Sequence, residues 1–224
     1  MHKEDGNYTP FKEKFYRIIP TRKPRINLYE DIVSENELEI LYSIEIRTNS
    51  RIREEYNETK RIKDADKYTG KNAHLINSAF LYYSNAKPTR FSNGSYGVFY
   101  CAEELECAIE ETKYHRLKFL QSTNEKTATL QMSVLVGNLE GRFCDIRNKP
   151  LVKIYYPDDY TYSQEFGLQI KKENKDGVAY DSVRYKSGTC YAILKPNIIK
   201  KIREIQCLNY ILDNGKIVVE KISP

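Results

Sequence analysis

The chain has 224 residues, of which 40% are hydrophobic and 30% charged, and its formal net charge is +5. This length supports a substantial core, and we expect a single domain over residues 1–224. The 36 basic residues are interleaved with 31 acidic ones. A nucleic-acid-binding surface would gather basic residues into a patch, so we expect no direct nucleic-acid binding. No apolar run is long enough to cross a bilayer, and we expect no membrane association.

The cysteines and the N-terminus predict the compartment. The five cysteines are an odd number and form no C-x-x-C pair, which favours free thiols in a reducing environment. The first ten residues are charged and lack the apolar core of a secretory signal. We therefore predict a cytoplasmic protein. The three histidines are dispersed, and we expect no metal site.

Hydrophobic periodicity and helix-start signals predict these elements before residue 90. In chain order they are a strand over 14–19 that Pro20 ends, a capping-box helix from Ser34 to about 46, a charged exposed segment over 51–67, and a helix over 72–83. We interpret residues 21–87 as a helical cover or an insertion.

The stretch 90–116 combines a turn, a strand and a helix. Asn93 and Gly94 predict the turn, and residues 98–100 predict a short strand. From Glu103 the period becomes helical. The predicted apolar face of this helix consists of Leu105, Ala108, Ile109, Thr112 and Phe119.

The remaining residues predict a sheet with one further helix. The predicted elements are strands over 127–136 and 142–146 joined by a turn over 137–141, a helix over 160–172, strands over 178–180 and 189–194, and a C-terminal hairpin of strands 201–212 and 216–222. The fold class is therefore α+β, with a mixed or antiparallel sheet core and flanking helices in a single domain.

Three side chains of the central stretch suggest a ligand site. Arg90, Tyr100 and Glu111 stand around a strand–helix junction and would suit an anionic ligand that bears an aromatic ring. The residues alone leave other interpretations open: Arg90 as a surface ion pair, Tyr100 as core packing, and Glu110 instead of Glu111.

A longer set of residues resembles the RES domain family. The matching positions are Thr89-Arg90-Phe91-Ser92, Gly94, Gly97-Val98, Tyr100, Ala102, Ala108, Glu111-Thr112, His115, Asp176-Gly177, Tyr180, Ser182-Val183-Arg184, Gly188, Cys190 and Pro196. They cover residues 88–196, about half of the chain.

The resemblance implies an ADP-ribosyltransferase-like fold and a toxin of a toxin–antitoxin pair. Such a toxin consumes NAD by breaking the nicotinamide–ribose bond through hydrolysis or phosphorolysis; the alternative is transfer of ADP-ribose to a protein. NAD would be a substrate with no separate cofactor, inorganic phosphate a candidate co-substrate, and a helix-turn-helix antitoxin the partner. Homodimer formation is left open.

The resemblance also implies roles for particular residues. Glu111 would stabilise oxocarbenium character on the ribose carbon, and Arg90 would bind the pyrophosphate or a ribose phosphate. Tyr100 would stack on nicotinamide or bind the ribose, and Ser182 would bind a ribose hydroxyl or the amide. Further candidates are Tyr16 and Arg17, with Arg47, Arg51 and Arg53 as rivals of Arg17, and His115 and Arg184 with either a site or a structural role.

The alternative from another class is a non-catalytic protein that binds nucleic acid or protein through the basic segment 47–67. It predicts salt-sensitive oligonucleotide binding and no NAD consumption. The glutamates at positions 54, 55 and 58 weaken this alternative, because they interrupt the positive charge.

Overall fold

The computed structural model describes residues 7–21, 66–81, 83–85, 88–122 and 127–222. The helix predicted from Ser34, most of the charged segment 51–67, and Arg47, Arg51 and Arg53 lie outside these residues. The described part forms one seven-stranded mixed sheet with three α-helices, which confirms the α+β class.

The strands are β1 (Asn7–Pro20), β2 (Phe99–Ala102), β3 (Ala128–Asp145), β4 (Gly177–Asp181), β5 (Thr189–Ile193), β6 (Ile199–Asp213) and β7 (Lys216–Lys221). The helices are α1 (Ala73–Leu81), α2 (Leu105–Ser122) and α3 (Thr161–Lys172), with short 3-10 helices at Val152–Tyr155 and Pro196–Ile198.

Five of the strands close on themselves. The sheet order is β1-β2-β5-β4-β3-β6-β7, and β1 also pairs with β3 along its whole length. The ring β1-β2-β5-β4-β3 is therefore continuous, and the β6–β7 hairpin extends from β3. Among the pairs of described strands, β3 and β4 are parallel and the others are antiparallel. A closed ring separates an inner face from an outer face, because successive side chains of a strand alternate between the two.

The inner face carries an aromatic core that α1 completes. The Phe11 ring lies 5.5 Å from Phe143 and 5.9 Å from Tyr191, both edge-on. Phe15 contacts Phe99 in the same way at 5.6 Å. Ile76 and Phe80 of α1 are buried in this cluster. Edge-to-face rings add specific attraction to their hydrophobic burial, so this core fixes the strands that carry the site.

The turn predicted over residues 137–141 is wrong. These residues continue β3 as one strand of 18 residues, whereas we predicted two strands. Phe15 stands opposite Gly137 in the ladder, and a Cβ at Gly137 would lie 2.6 Å from the Phe15 ring. Glycine is needed here because the ring covers the backbone, and not because the chain turns.

The outer face packs against α2 and α3. Cys107 and Ala108 of α2 and Ile170 of α3 are buried there with Val134 and Tyr210. Phe119, which we placed on the apolar face of α2, is 53% exposed, so this assignment is wrong. It lies near the end of the helix, where Leu120 takes the buried position.

The other described elements confirm their predictions to within a few residues, except that β1 begins at Asn7, seven residues before the strand predicted from position 14. Asn214 and Gly215 have positive φ values of 47° and 75°, as the predicted hairpin turn requires. The extent of the single domain over residues 1–224 stays a prediction.

Candidate functional site

The turn that carries Arg90 is closed by its own backbone. Thr89 N donates to Ser92 O at 2.7 Å, and Ser92 N donates back to Thr89 O at 3.3 Å. The Ser92 hydroxyl donates to Tyr96 O, and Gly94 has the positive φ of 92° that we expected of this turn. These bonds place Arg90 at a fixed point beside the start of β2.

Arg90 is buried, with only 9% of its surface exposed. Its Nη1 donates to the carbonyl oxygens of Ile154 and Tyr156, each at 3.0 Å. Its guanidinium also lies over the Tyr160 ring, 4.7 Å from the centroid. The side chain therefore ties the loop before α3 to the turn that precedes β2.

Tyr100 is the outer-face residue of β2 nearest to this turn. Phe91 N donates to its hydroxyl at 3.0 Å, and the hydroxyl shares a hydrogen bond of 2.9 Å with Thr89 Oγ1. Burial raises the pKa of Tyr100 to about 12, with the hydrogen bonds from Thr89 and Phe91 opposing part of this shift. Its hydroxyl is thus engaged in holding the turn.

Glu111 and Ser182 are in direct contact, although they are 71 positions apart in the chain. Ser182 Oγ donates to Glu111 Oε1 at 2.6 Å. The same Ser182 oxygen accepts hydrogen bonds from the backbone N–H groups of Arg184 and Tyr185, at 3.1 and 2.9 Å. The turn after β4 therefore orients the hydroxyl, and the hydroxyl orients the carboxylate of α2.

Two cysteines lie behind this pair. Cys190 Sγ is 3.9 Å from Glu111 Oε1, and Cys107 Sγ is 3.7 Å from Cys190 Sγ. The hydrogen bond with Cys107, burial and the negative charge of Glu111 all raise the pKa of Cys190. Cys190 is consequently a neutral thiol beside the carboxylate.

The charges of the site converge on the buried Tyr180, the last buried residue of β4. Burial raises the pKa of Tyr180 most, the negative charge of Glu111 adds to this shift, and the positive charge of Arg90 opposes it. The described contacts place the four predicted catalytic residues in two pairs: Arg90 and Tyr100 at the turn before β2, and Glu111 with Ser182 at the turn after β4.

His115 lies one helical turn beyond Glu111 and is exposed at its surface. Partial desolvation by the neighbouring protein lowers its pKa, Glu111 opposes this shift, and Arg184, Arg116 and Arg90 add to it. The imidazole is therefore neutral near pH 7.

The described contacts of Arg17 are on the inner face and do not include Glu111. Its Nη1 donates to the Tyr100 carbonyl oxygen at 2.7 Å, and its guanidinium lies 4.2 Å from the centroid of the Phe99 ring, on the inner face. Burial lowers its pKa to about 10, and its Nε has no hydrogen-bond partner among the described residues. Tyr16 is half-buried and packs against the outer-face cluster instead. Strand alternation separates the two neighbours.

Sequence reasoning assigned no role to the neighbours of Arg184. The Arg184 guanidinium lies 3.5 Å from the centroid of the Tyr114 ring and donates to Pro157 O at 2.7 Å. Tyr114 and Lys118 both donate to the Asp158 carboxylate. The only available signal was spacing, since Tyr114 and Lys118 follow Glu111 at three and seven positions along α2.

A cavity of about 310 Å³ lies elsewhere in the molecule. Its lining includes Tyr96, Lys171, Lys175 and Lys195, and none of the four predicted catalytic residues. Within the described residues, no group of three or more His, Cys, Asp or Glu side chains is arranged to hold a metal ion. The described helices include none with the length and apolar character of a membrane span.

A family model described as "RES domain" matches residues 60–213. The chain belongs to this family. It is 32% identical over 203 residues to the uncharacterized protein y4oC of Sinorhizobium fredii (strain NBRC 101917 / NGR234), covering 89% of this chain and 82% of that protein. Among solved structures, a chain of the M. tuberculosis MbcT-MbcA toxin-antitoxin complex is similar at 10% identity and a TM-score of 0.44. That similarity covers 90% of this chain and 86% of the other, and its score is too low to carry an argument.

Proposed function

We propose that the protein is a toxin that degrades NAD in the cytoplasm by cleaving the nicotinamide–ribose bond, through hydrolysis or phosphorolysis. The observation that carries this proposal is the 2.6 Å hydrogen bond between Ser182 and Glu111. It joins two motifs of the RES domain family, one on α2 and one in the turn after β4.

The proposed chemistry needs a fixed carboxylate. Departure of nicotinamide leaves positive charge on the ribose carbon, and a preorganised negative group stabilises that charge without reorganisation. Glu111 suits this task because Ser182 fixes one of its oxygens and Cys190 supports the same oxygen. The other oxygen is the one that we assign to the ribose and the attacking group.

Arginine suits the pyrophosphate because its guanidinium is planar and permanently charged. The Arg184 backbone N–H is bonded to Ser182 of the Glu111–Ser182 pair, and we assign the Arg184 and Arg90 side chains to the phosphates. The Tyr100 hydroxyl is already bonded to Thr89 and Phe91, so its ring is the part that we assign to nicotinamide or ribose.

Glu111→Gln tests the proposal, because it keeps the shape of the side chain and removes its charge. We expect purified Glu111→Gln to consume NAD roughly 100- to 1,000-fold more slowly, the cost of losing one electrostatic stabiliser. Glu110→Gln is the matched control, since the described contact of Glu110 is a partly exposed ion pair with Lys113 on the same helix. Unchanged NAD loss in Glu111→Gln, or equal losses of activity in the two variants, would contradict the assignment.

Product analysis separates the reaction types. With NAD alone, free ADP-ribose indicates hydrolysis; with inorganic phosphate added, a phosphorylated ADP-ribose indicates phosphorolysis. Labelled protein would indicate the alternative, transfer of ADP-ribose to a protein acceptor. If none of these conditions yields a product from NAD, the proposal is refuted.

The proposed partner is an antitoxin with a helix-turn-helix domain that covers the site. Expression of the chain alone in bacteria should lower cellular NAD and stop growth, whereas Glu111→Gln should do neither. Normal growth and a normal NAD concentration in cells that express the unaltered chain would count against a toxin function.

A further inference from the structure

Residues 154–160 comprise the end of the 3-10 helix Val152–Tyr155 and the connection from it to α3. From residue 156 to residue 160 this connection belongs to no helix or strand, and the side chains of residues 156–159 are exposed. It lies between Arg90 and Arg184, and it contacts both. We call it the 154–160 segment.

Arg90 holds the first part of the segment at a buried position. Its Nη1 bonds to two carbonyl oxygens, of Ile154 and Tyr156, and its guanidinium is covered by the Tyr160 ring. The Tyr155 hydroxyl adds a bond of 2.8 Å to Ile146 O. Several buried contacts must break together to free this part, so we regard it as the fixed side.

The second part is held at the surface. Arg184 Nη2 makes one exposed hydrogen bond to Pro157 O at 2.7 Å. Next to it, Lys118 Nζ pairs with Asp158 Oδ1 at 2.8 Å, with side-chain exposures of 59% and 63%. Tyr114 also donates to Asp158. Exposed pairs of this kind contribute little to stability, so this side opens more readily than the other.

The groups that hold the exposed part also border the Glu111–Ser182 pair. The Arg184 backbone N–H bonds to Ser182 Oγ, and Tyr114 lies three residues beyond Glu111 on α2. A phosphate oxygen is a charged acceptor that can engage a guanidinium through two parallel hydrogen bonds, and it competes well against a single neutral carbonyl oxygen. A phosphate beside Ser182 would therefore draw Arg184 away from Pro157.

We propose that Pro157 and Asp158 form a latch that opens when a ligand with a diphosphate group binds beside Glu111 and Ser182. The ligand takes the Arg184 guanidinium, the bond to Pro157 O is lost, and the 154–160 segment opens at this side while Arg90 holds the other. The inference rests on the proposed function for the choice of ligand, but not on NAD cleavage.

Hydrogen exchange of the backbone amides, read by mass spectrometry on peptides that cover residues 155–160, tests the latch. The probes are ADP-ribose and inorganic pyrophosphate, with adenosine as the uncharged control. We expect both diphosphates to speed amide exchange of the segment about three- to tenfold, because a released segment opens more often to solvent, and adenosine to leave it unchanged.

Variants distinguish opening of the latch from a general increase in the flexibility of the 154–160 segment. Arg184→Gln should exchange as fast without ligand as the wild type does with ADP-ribose, and ADP-ribose should add nothing. Lys186→Gln is the matched control, because it removes an exposed positive charge from the same turn and should respond like the wild type. If Arg184→Gln does not fold, Asp158→Asn replaces it: exchange should rise without ligand, and ADP-ribose should still raise it further.

The outcomes distinguish the latch from the enzymatic proposal. Faster exchange with diphosphates in a protein that leaves NAD intact would support the latch and refute the NAD-degrading function. NAD consumption together with unchanged or slower exchange of residues 155–160 would overturn the latch. If ADP-ribose speeds the exchange of residues 155–160 equally in the wild type and in Arg184→Gln, the latch is also overturned.

Discussion

Ser182 uses its full hydrogen-bonding capacity. A hydroxyl has one donor and two acceptor positions, and Ser182 Oγ donates to Glu111 while it accepts from the N–H groups of Arg184 and Tyr185. A hydroxyl that is bonded in this way is not free to act as a nucleophile. Its arrangement fits a residue that positions the carboxylate.

Ser182→Ala should weaken both the fold and the site. Two backbone N–H groups lose their acceptor, and we expect the free energy of unfolding to fall by about 1–3 kcal/mol in a urea titration. A displaced Glu111 carboxylate should slow NAD consumption roughly 100-fold.

Ser95→Ala is the control for this change, because Ser95 is exposed and its hydroxyl bonds to Asn93 at the tip of a turn. Ser95→Ala should change neither the free energy of unfolding nor the rate of NAD consumption measurably. Full NAD consumption by a destabilised Ser182→Ala would mean that Ser182 serves the turn and not the carboxylate.

At the scale of elements, β3 depends on the fit between a ring and a glycine. Gly137 stands opposite Phe15, whose side chain is fully buried, and the two pack without space for a Cβ atom. A strand of 18 residues can therefore run through a glycine-containing stretch that resembles a turn in sequence.

Gly137→Ala should lower the free energy of unfolding by about 1–3 kcal/mol, the usual cost of overpacking a core. The measurement is urea unfolding, with Asn138→Ala as the control at the exposed neighbouring position. Phe15→Leu shortens the opposing ring, so the double variant should lose less than the sum of the two single losses. Strictly additive losses would show that the Phe15 contact is not the cause.

The Arg17 side chain illustrates a second effect of element geometry. Tyr16 and Arg17 are neighbours in sequence, yet β1 directs them to opposite faces of a closed ring of strands. This alternation follows the period of two that a strand imposes on its side chains. Whether Arg17 takes part in the site stays a prediction; its described contacts are with Tyr100 O and Phe99.

At the scale of the molecule, the two faces of the ring of strands have different roles. The inner face is filled by aromatic and aliphatic side chains that hold the strands together. The outer face packs against α2 and α3, and the Glu111–Ser182 contact joins α2 to the turn after β4. The site is therefore built on rigid elements, while the 154–160 segment beside it is a loop.

Stability should fall at alkaline pH because several tyrosines are buried. Burial raises the pKa values of Tyr100, Tyr155 and Tyr210 from 10.0 to about 12. Above pH 10 the unfolded chain loses these protons while the folded chain keeps them, so their contribution is complete below pH 10 and is lost as the pH rises towards 12. Arg17 acts in the opposite direction, because its lowered pKa of about 10 favours the folded state above that pH, but it is one group against three.

Urea unfolding at pH 8 and at pH 11 measures this effect. We expect a clearly lower free energy of unfolding at pH 11, and a smaller pH dependence in Tyr210→Phe, which lacks one of the titrating hydroxyls. Tyr210→Phe also loses the bond to Thr112, so it is compared with itself at the two pH values. If the wild type has the same free energy of unfolding at pH 8 and at pH 11, the raised pKa values of the tyrosines are contradicted.

The sequence by itself determined the local elements and the motif residues. The Asn214-Gly215 hairpin and the helices α1 and α3 depend on interactions between near neighbours, which periodicity and turn chemistry express directly. The motif containing Arg90, Glu111 and Ser182 was found through the resemblance to the RES domain family. The choice of Glu111 over Glu110 came from the family resemblance, since the helix pattern favoured Glu111 only weakly, through its apolar neighbours Ala108 and Thr112.

Only the tertiary structure decided which distant groups meet. The Ser182–Glu111 bond, the thiols behind it, the covering of Gly137 by Phe15, and the contacts of Arg184 with Tyr114 and Pro157 all join segments that are far apart in the chain. Such contacts depend on how the strands close and on which face each side chain takes. No local pattern encodes the pairing partner of a strand, and for that reason the sequence could propose the residues of the site but not their arrangement.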